Sequence, residues 1–203
     1  YINRGARLQL DNSTLDRSQE CPGNWAGIHV IGNGARTHQG ISVASITNGS
    51  YPATIDDHGV FYSKNNSAIK HANNAITTST DANGYIPPYY ANWGDAFGGI
   101  IFATNTTFQD NWRAVEMLEF PKVKSMVQSQ MENISTFNNC HFYDKVTIWE
   151  NHNVKFNNCN FYLDASNPTG VFGINFTARF SGNTFEGIQS NVSPARTFGI
   201  NAS

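Results

Sequence analysis

Two short segments of the sequence place charged residues where they could catalyse a reaction. The first is "IDDHG" at 55–59, in which Asp56, Asp57 and His58 are consecutive. Clustered carboxyl groups can act as general acid and base on a glycosidic bond, or can hold calcium in an enzyme that cleaves by elimination. Either reaction needs further carboxylates in register with the pair. The other acidic residues considered share no such register: Asp95, Glu116 and Glu119. A hydrated turn is the interpretation we favour.

The second segment is "NWRAVEMLEF" at 111–120, which contains Arg113 and Glu116. An arginine can serve as the base of a polysaccharide lyase, but no Asp-rich calcium-binding segment accompanies this one. The simpler interpretation is a surface ion pair of Arg113 with Glu116 or with Glu119. We therefore predict no catalytic residue, no metal site and no cofactor; calcium would be expected only in a lyase. The nearest candidates for catalysis are Asp56, Asp57, His58, Arg113 and Glu116.

A third segment, "NGYIPPYYANW" at 83–93, is rich in aromatic residues. Its two prolines exclude it from the interior of a sheet. Exposed aromatic rings beside Asn and Asp are a common means of stacking on sugar rings, so these residues form a predicted ligand-binding set: Tyr85, Tyr89, Tyr90 and Trp93. The alternative is that the loop folds back and covers part of the protein.

The elements that position these residues follow from a repeat. The phrase "FNNCHFY" at 137–143 recurs as "FNNCNFY" at 156–162, and weaker copies occur at 8–15, 101–108 and 178–185. The copies align on an apolar residue, which is Leu15, Phe108, Phe142, Phe161 and Phe185 in turn. The last three are 19 and 24 residues apart, and Leu15 to Phe108 spans about four such intervals. A unit of about 20–25 residues indicates a solenoid.

Within each copy, apolar residues alternate on either side of a polar pair such as Asn157-Asn158. This pattern predicts two short strands that meet at a corner, where Asn or Gly adopts the left-handed conformation. We predict an all-β fold, a single-stranded right-handed parallel β-helix, with an antiparallel β-sandwich as the alternative. In the β-helix, Asn139 would stack on Asn158 in an asparagine ladder. Insertions are expected at about 80–97 and 119–133, the second with helical spacing.

The three cysteines, Cys21, Cys140 and Cys159, fit no zinc-binding pattern. Cys140 and Cys159 would lie on adjacent rungs, close enough for a disulfide. Their side chains would run parallel, which suits a bridge poorly, so we predict buried free thiols that fill space. The net charge of −2 and the lack of a basic run argue against nucleic acid as a partner. No apolar run is long enough to span a membrane.

With "GGIIFATNTTFQDNWRAVEML" at 98–118 and the two "FNNC" copies, the chain resembles pectin-lyase-like right-handed β-helix proteins. More narrowly, it is similar to repeat regions of large bacterial cell-surface proteins exported by the type IX secretion system. The resemblance implies an extracellular or cell-surface location, with a polysaccharide or cell-surface glycan and components of the secretion machinery as possible partners. We predict one β-helix domain over 1–203, as a fragment of a longer chain.

Three functions are compatible with these observations. The first is a non-enzymatic segment that serves as a stalk, an adhesin or a glycan-contacting module. The second is a polysaccharide lyase or glycoside hydrolase of the β-helix class. The third is cargo or a partner of the export machinery. Glycan binding without product release would favour the first function over the second.

Overall fold

The computed structural model describes residues 1–48, 53–79, 96–120, 132–164, 169–187 and 198–202, with the side chains of 53–54 and 198–202 excepted. Most of the two predicted insertions lies outside the described residues. The predicted aromatic set also lies outside them: Tyr85, Tyr89, Tyr90 and Trp93. These expectations therefore stay predictions.

The strands form three parallel sheets of six strands each, and one strand from each sheet makes one rung. The first sheet contains β1 (Arg7–Asp11), β4 (Val60–Lys64), β7 (Ile100–Thr104), β10 (Thr136–Asn138), β13 (His152–Asn157) and β16 (Thr177–Ser181). The second contains β2 (Thr14–Leu15), β5 (Ser67–Lys70), β8 (Thr106–Gln109), β11 (His141–Phe142), β14 (Asn160–Leu163) and β17 (Thr184–Gly187). The third contains β3 (Trp25–His29), β6 (Ala72–Thr77), β9 (Arg113–Met117), β12 (Val146–Trp149), β15 (Thr169–Ile174) and β18 (Phe198–Ala202). The predicted parallel β-helix is confirmed, and the antiparallel sandwich is wrong.

The corner between the first and second sheets has the predicted backbone. Asn139 and Asn158 have φ values of 51° and 52°, and Gly182 follows with 65°. The side-chain hydrogen bond of the expected asparagine ladder lies one position earlier, because Asn157 Nδ2 donates to Asn138 Oδ1 at 2.8 Å. The two corner asparagines instead donate their backbone N–H groups to the next rung. An asparagine ladder is therefore present, but it is formed by Asn138 and Asn157, one position before the predicted pair.

The core is built from stacked phenyl rings. Phe108, Phe142, Phe161 and Phe185 form one column, with successive ring centroids 5.0, 4.8 and 4.7 Å apart. A second column lies beside it and contains Phe137, Phe156 and Phe180. The first column therefore consists of residues on which the copies of the repeat align, and Phe108 lies on the rung next to Phe142.

The rung count between Leu15 and Phe108 was predicted wrongly. Leu15 pairs with Ile69, and Ile69 pairs with Phe108, so two rungs separate the ends and not four. The intermediate rung is "YSKNNSAI" at 62–69, in which Ser63 takes the place of the usual inward apolar residue. Ser63 is fully buried, and its Oγ lies 2.7 Å from the hydroxyl of Thr106. This internal hydrogen bond satisfies the buried hydroxyl. The repeat is difficult to recognise here because a polar residue occupies an inward position.

Cys140 and Cys159 are free and buried. Each thiol donates to backbone carbonyl groups of its own and the preceding rung; Cys140 Sγ contacts Ala103 O at 3.5 Å and Cys159 Sγ contacts Phe137 O at 3.4 Å. Burial raises the pKa of Cys140 well above its usual value. The prediction of buried, space-filling thiols is confirmed.

A short helical segment separates β3 from β4. It contains the helix α1 (Val43–Thr47) and the 3-10 helix η1 (Ala53–Asp57). Ser42 caps α1, because its Oγ accepts from Ser45 N at 3.1 Å. The segment buries Ile46 against the outer side of the first sheet, where Val60 and Ile100 complete a second apolar cluster. The strands β4 and β7 of this sheet are therefore covered on both faces.

Candidate functional site

The outer face of the third sheet carries two of the predicted candidates. Val115 and its pairing partners point into the core, so the residues that alternate with them point outward. One outward column contains Thr77, Glu116, Thr147 and Phe172 in register. The alternation is broken before Val115, since Ala114 is also a core residue; Arg113 pairs with Asn74 of the preceding rung, and its side chain reaches Glu116 on the outer face.

Glu116 is fully engaged by its neighbours. Its Oε1 forms an ion pair with Arg113 Nη1 at 2.7 Å, and its Oε2 accepts from Asn74 Nδ2 at 2.9 Å. Of the two ion pairs that the sequence allowed, the one with Glu116 is confirmed. Since the arginine is bound to a carboxylate, its guanidinium is poorly placed to act as a base.

An exposed tryptophan lies at the corner between the second and third sheets. Trp112 is 61% exposed, and the Arg113 guanidinium lies 4.5 Å from its ring centroid. Lys145 Nζ, from the next rung, lies 5.6 Å from the same centroid. Partial burial and the charge of Arg113 lower the pKa of Lys145. We define the Trp112 patch as Asn74, Trp112, Arg113, Glu116 and Lys145.

The patch has unmet hydrogen-bonding capacity. Asn74 Oδ1 and Arg113 Nε are buried and have no hydrogen-bond partner among the described residues, and the same holds for the adjacent Thr77 Oγ1. Such atoms are rare in folded proteins, and each costs about 1–3 kcal/mol. Three of them within one outward face mark a place where ordered water or a polar ligand completes the network.

Two stacked tyrosines lie on the neighbouring outer face of the second sheet. The rings of Tyr143 and Tyr162 are 4.3 Å apart and nearly parallel, and Tyr143 is 38% exposed. Tyr162 Oη lies 3.2 Å from His141 Nδ1. Tyr143 precedes Lys145 of the Trp112 patch by two residues, on the other side of Asp144.

The expectation of a hydrated turn at "IDDHG" is wrong for His58, which is buried, whereas Asp56 at the end of η1 is exposed. His58 is fully buried and hydrogen-bonds through Nδ1 to Gly98 O at 2.9 Å. His38 Nε2 reaches the same carbonyl at 2.9 Å and packs edge-on against His58. Burial lowers the pKa of His58 to about 4 and that of His38 well below its usual value. Both histidines are therefore neutral parts of the fold.

Asp56 and Glu116 lie on the outer sides of different sheets. Asp56 lines a cavity beside β1 and β4, with Arg7 and Val60 among the other walls. Glu116 belongs to β9 of the third sheet, and no contact joins it to Asp56 or Asp57 in the described part of the chain. The structure thus brings Arg113 and Glu116 together and leaves the aspartates apart from them.

A line of titratable residues at the corner between the second and third sheets was not predicted. It contains Asp16, His71, Asp110 and Asp144. Asp144 is buried, and its Oδ2 accepts from the N–H and Nδ2 of Asn111 at 3.0 and 2.9 Å. Burial raises the pKa of Asp144 to about 6, and the charges of Asp110 and Asp164 contribute. His71 lies 2.7 Å from Asp16 and 3.9 Å from Asp110.

The sequence contains a signal for this line. When the copies are aligned on Phe108 and Phe142, Asp110 and Asp144 both fall two positions later. In the described ranges, no group of three or more His, Cys, Asp or Glu residues could hold a metal ion. The line of residues therefore joins rungs through hydrogen bonds and ion pairs.

No family of known proteins matches the chain, and the comparisons with curated proteins and with solved structures give no significant similarity. The resemblance to pectin-lyase-like proteins and to exported surface proteins therefore rests on the repeat pattern alone. Within the described residues, no helix combines the length and the apolar character needed to cross a bilayer.

Proposed function

We propose that the chain is a non-enzymatic β-helical segment of a secreted bacterial surface protein, and that it contacts glycans through the Trp112 patch. The observation that carries this proposal is the exposed Trp112 ring beside two cationic side chains, Arg113 and Lys145. An indole ring offers an apolar face to the C–H groups of a sugar, while the adjacent charged groups bind its hydroxyl groups.

The rigidity of the site supports this function. The backbone N–H of Trp112 donates to Ala72 O, and Arg113 lies in β9 between strands of the neighbouring rungs. The ion pair with Glu116 further fixes the guanidinium. A preorganised site loses little conformational entropy when a flexible glycan binds.

The surroundings of Glu116 support a binding role over catalysis. Hydrolysis needs two carboxyl groups roughly 5–10 Å apart across the substrate. The residues that flank Glu116 in its column are Thr77 and Thr147, and both of its own oxygens have partners. The Trp112 patch itself therefore offers one engaged carboxylate.

A second candidate function is a polysaccharide hydrolase or lyase. One observation favours it: Asp144 has a raised pKa of about 6, as the general acid of a glycosidase requires. Against it, both hydrogen bonds from Asn111 converge on Oδ2 of this carboxylate. A role as cargo or partner of the export machinery, and the extracellular location, remain proposals that rest on the resemblance.

A glycan array followed by calorimetric titration tests the proposal. We expect the wild-type protein to retain a bacterial or host glycan without releasing product, and Trp112→Ala to weaken binding by about tenfold or more, the loss of one aromatic contact. Arg179→Ala is the control, because Arg179 is an exposed cationic residue of β16 on the outer face of the first sheet, away from the patch. This control should bind like the wild type.

Three results would overturn the proposal. The first is equal binding by the wild type and Trp112→Ala, which would remove the patch from the contact. The second is the appearance of reducing ends or unsaturated products from a bound polysaccharide, which would establish the enzymatic function instead. The third is failure of every glycan on the array to bind.

A further inference from the structure

A separate cavity lies on the outer side of the first sheet, against the helical segment. Its volume is about 200 Å³, and its walls come from the N-terminal strand region, α1, η1 and β4. The lining residues are Gly5, Ala6, Arg7, Ile46, Ile55, Asp56 and Val60. For comparison, a cavity of about 150 Å³ is large enough to hold benzene. The space therefore fits a small group of six to ten heavy atoms.

The walls divide into an apolar floor and a charged rim. Ile46 and Val60 belong to the second apolar cluster, and Ile55 packs against it. Arg7 and Asp56 are exposed and supply one charge of each sign. The site thus presents an apolar surface, a donor and an acceptor within one small volume.

A hydrogen bond fixes the Arg7 side of the rim. Arg7 Nη1 donates to Ile46 O at 3.0 Å, which holds the guanidinium over the end of α1. Gly5 has a φ of +71°, and a Cβ at this position would lie 3.6 Å from Asp56 Oδ1. Asp56 itself has no side-chain hydrogen bond or ion pair to another described residue, so its carboxylate can accept a donor from a ligand.

We propose that this cavity is a subsite for an N-acetylamino sugar. The acetamido methyl group lies on the floor formed by Ile46 and Val60, the amide N–H donates to the Asp56 carboxylate, and the amide oxygen accepts from Arg7. This inference rests on the proposed glycan-contacting function and specifies a sugar class that the Trp112 patch does not.

The floor distinguishes this class from plain hexoses. A hydroxyl group placed against Ile46, Ile55 and Val60 would lose its water without gaining a hydrogen bond, at a cost of about 1–3 kcal/mol. A methyl group in the same place gains from burial. The carboxylate of Asp56 likewise selects a donor such as an amide N–H and repels an acidic group.

The experiment is a two-dimensional ¹H–¹⁵N NMR titration of the full chain with N-acetylglucosamine, glucose and glucosamine. We expect N-acetylglucosamine to shift the amide signals of Gly5, Ala6 and Val60, and to bind about tenfold or more tightly than glucose. Glucosamine separates the acetyl group from the amine: its ammonium group can pair with Asp56, but it has no methyl group to bury against the floor, so we expect it to bind more weakly than N-acetylglucosamine.

Paired variants assign the site. Asp56→Ala should weaken N-acetylglucosamine binding by about tenfold, whereas Asp57→Ala, which changes the neighbouring carboxylate outside the cavity lining, should leave it unchanged. Ala6→Phe fills the cavity from an exposed position and should abolish binding while preserving the amide spectrum of the core. Equal affinity for glucose and N-acetylglucosamine, or unchanged binding by Asp56→Ala, would overturn the subsite.

Trp112→Ala separates this inference from the proposed function. If the variant loses glycan-array binding but keeps the N-acetylglucosamine shifts, both sites are confirmed as independent. If N-acetylglucosamine fails to bind while Trp112-dependent array binding persists, the subsite is wrong and the proposed function stands.

Discussion

The phenyl rings of Phe142 and Phe161 are stacked face to face, with centroids 4.8 Å apart and planes 10° from parallel. The separation equals the spacing of neighbouring strands, so each ring covers the one on the next rung. Both side chains are buried, at 1% and 0% exposed. The stack is therefore a continuous core, and removal of any inner member leaves a cavity.

We expect Phe161→Ala to lower the free energy of unfolding by about 3–5 kcal/mol, because the cavity would be bounded by Phe142 and Phe185, which their own strands hold in place. Phe185→Ala is the control, since Phe185 is only partly buried and packs at the end of the column. It should cost clearly less. A loss below about 1 kcal/mol for Phe161→Ala in urea melts would show that the ring is not part of the core.

The corner asparagines give a second prediction. Asn158 has a φ of 52°, a region that costs an alanine about 1–2 kcal/mol and a glycine nothing. We therefore expect Asn158→Ala to destabilise the protein by about 1 kcal/mol or more, and Asn158→Gly to be close to neutral. Equal destabilisation by the two substitutions in thermal melts would mean that the side chain, and not the backbone conformation, is what matters at this corner.

The repeat was readable from sequence because the rungs at 137–143 and 156–162 contain no insertion. The phrase there has a constant length, and the pairing of Phe137 with Phe156 follows directly. The rung at 62–69 departs from the pattern because a hydrogen-bonded Ser63 replaces the inward apolar residue. Long segments between β3 and β4 and between β6 and β7 also lengthen the sequence spacing without adding rungs.

The candidate site was only partly predictable for a related reason. Arg113 and Glu116 are three residues apart on one strand, so their ion pair depends on local sequence. The burial of His58 depends on Gly98, which is 40 residues away and joins it only through the stacking of rungs. Local sequence patterns do not indicate a contact between such distant residues. The cluster of charged residues at 55–59 was therefore interpreted as a solvated turn.

His58 gives a third prediction, on the pH dependence of stability. Its folded pKa is about 4, below its usual value of 6.5. The unfolded chain therefore takes up a proton between these values that the folded chain refuses, and stability falls as the pH falls through this window. The full contribution is on the order of 3 kcal/mol. Buried His38 acts in the same direction.

We expect His58→Gln to reduce the slope of unfolding free energy against pH by about one proton. Urea melts from pH 4 to 7.5 measure this slope, and an unchanged slope would contradict the burial of a neutral imidazole.

Asp144 acts in the opposite direction over nearly the same window. Its folded pKa is about 6, above the ordinary value of 3.8, so the folded chain binds a proton between these values that the unfolded chain releases. The charged Asp144 carboxylate therefore lowers the free energy of unfolding above pH 6, and this destabilising effect disappears as the pH falls towards 4. In the wild type, this pH dependence of stability offsets the opposite pH dependence that one of the two histidines contributes.

We expect Asp144→Asn to remove the offset. An asparagine keeps the acceptor for both hydrogen bonds from Asn111 but carries no charge beside Asp110 and Asp164. The variant should be more stable than the wild type at pH 7.5, by on the order of 1–3 kcal/mol, and similar to it at pH 4. Its stability should also rise more steeply with pH than that of the wild type, by about one proton.

Asp110→Asn is a matched control, because Asp110 is about half exposed and its removal should have a smaller effect. If Asp144→Asn instead destabilises the protein at pH 7.5, the carboxylate charge contributes more to the Asn111 hydrogen bonds than its burial costs, and the raised pKa is wrong.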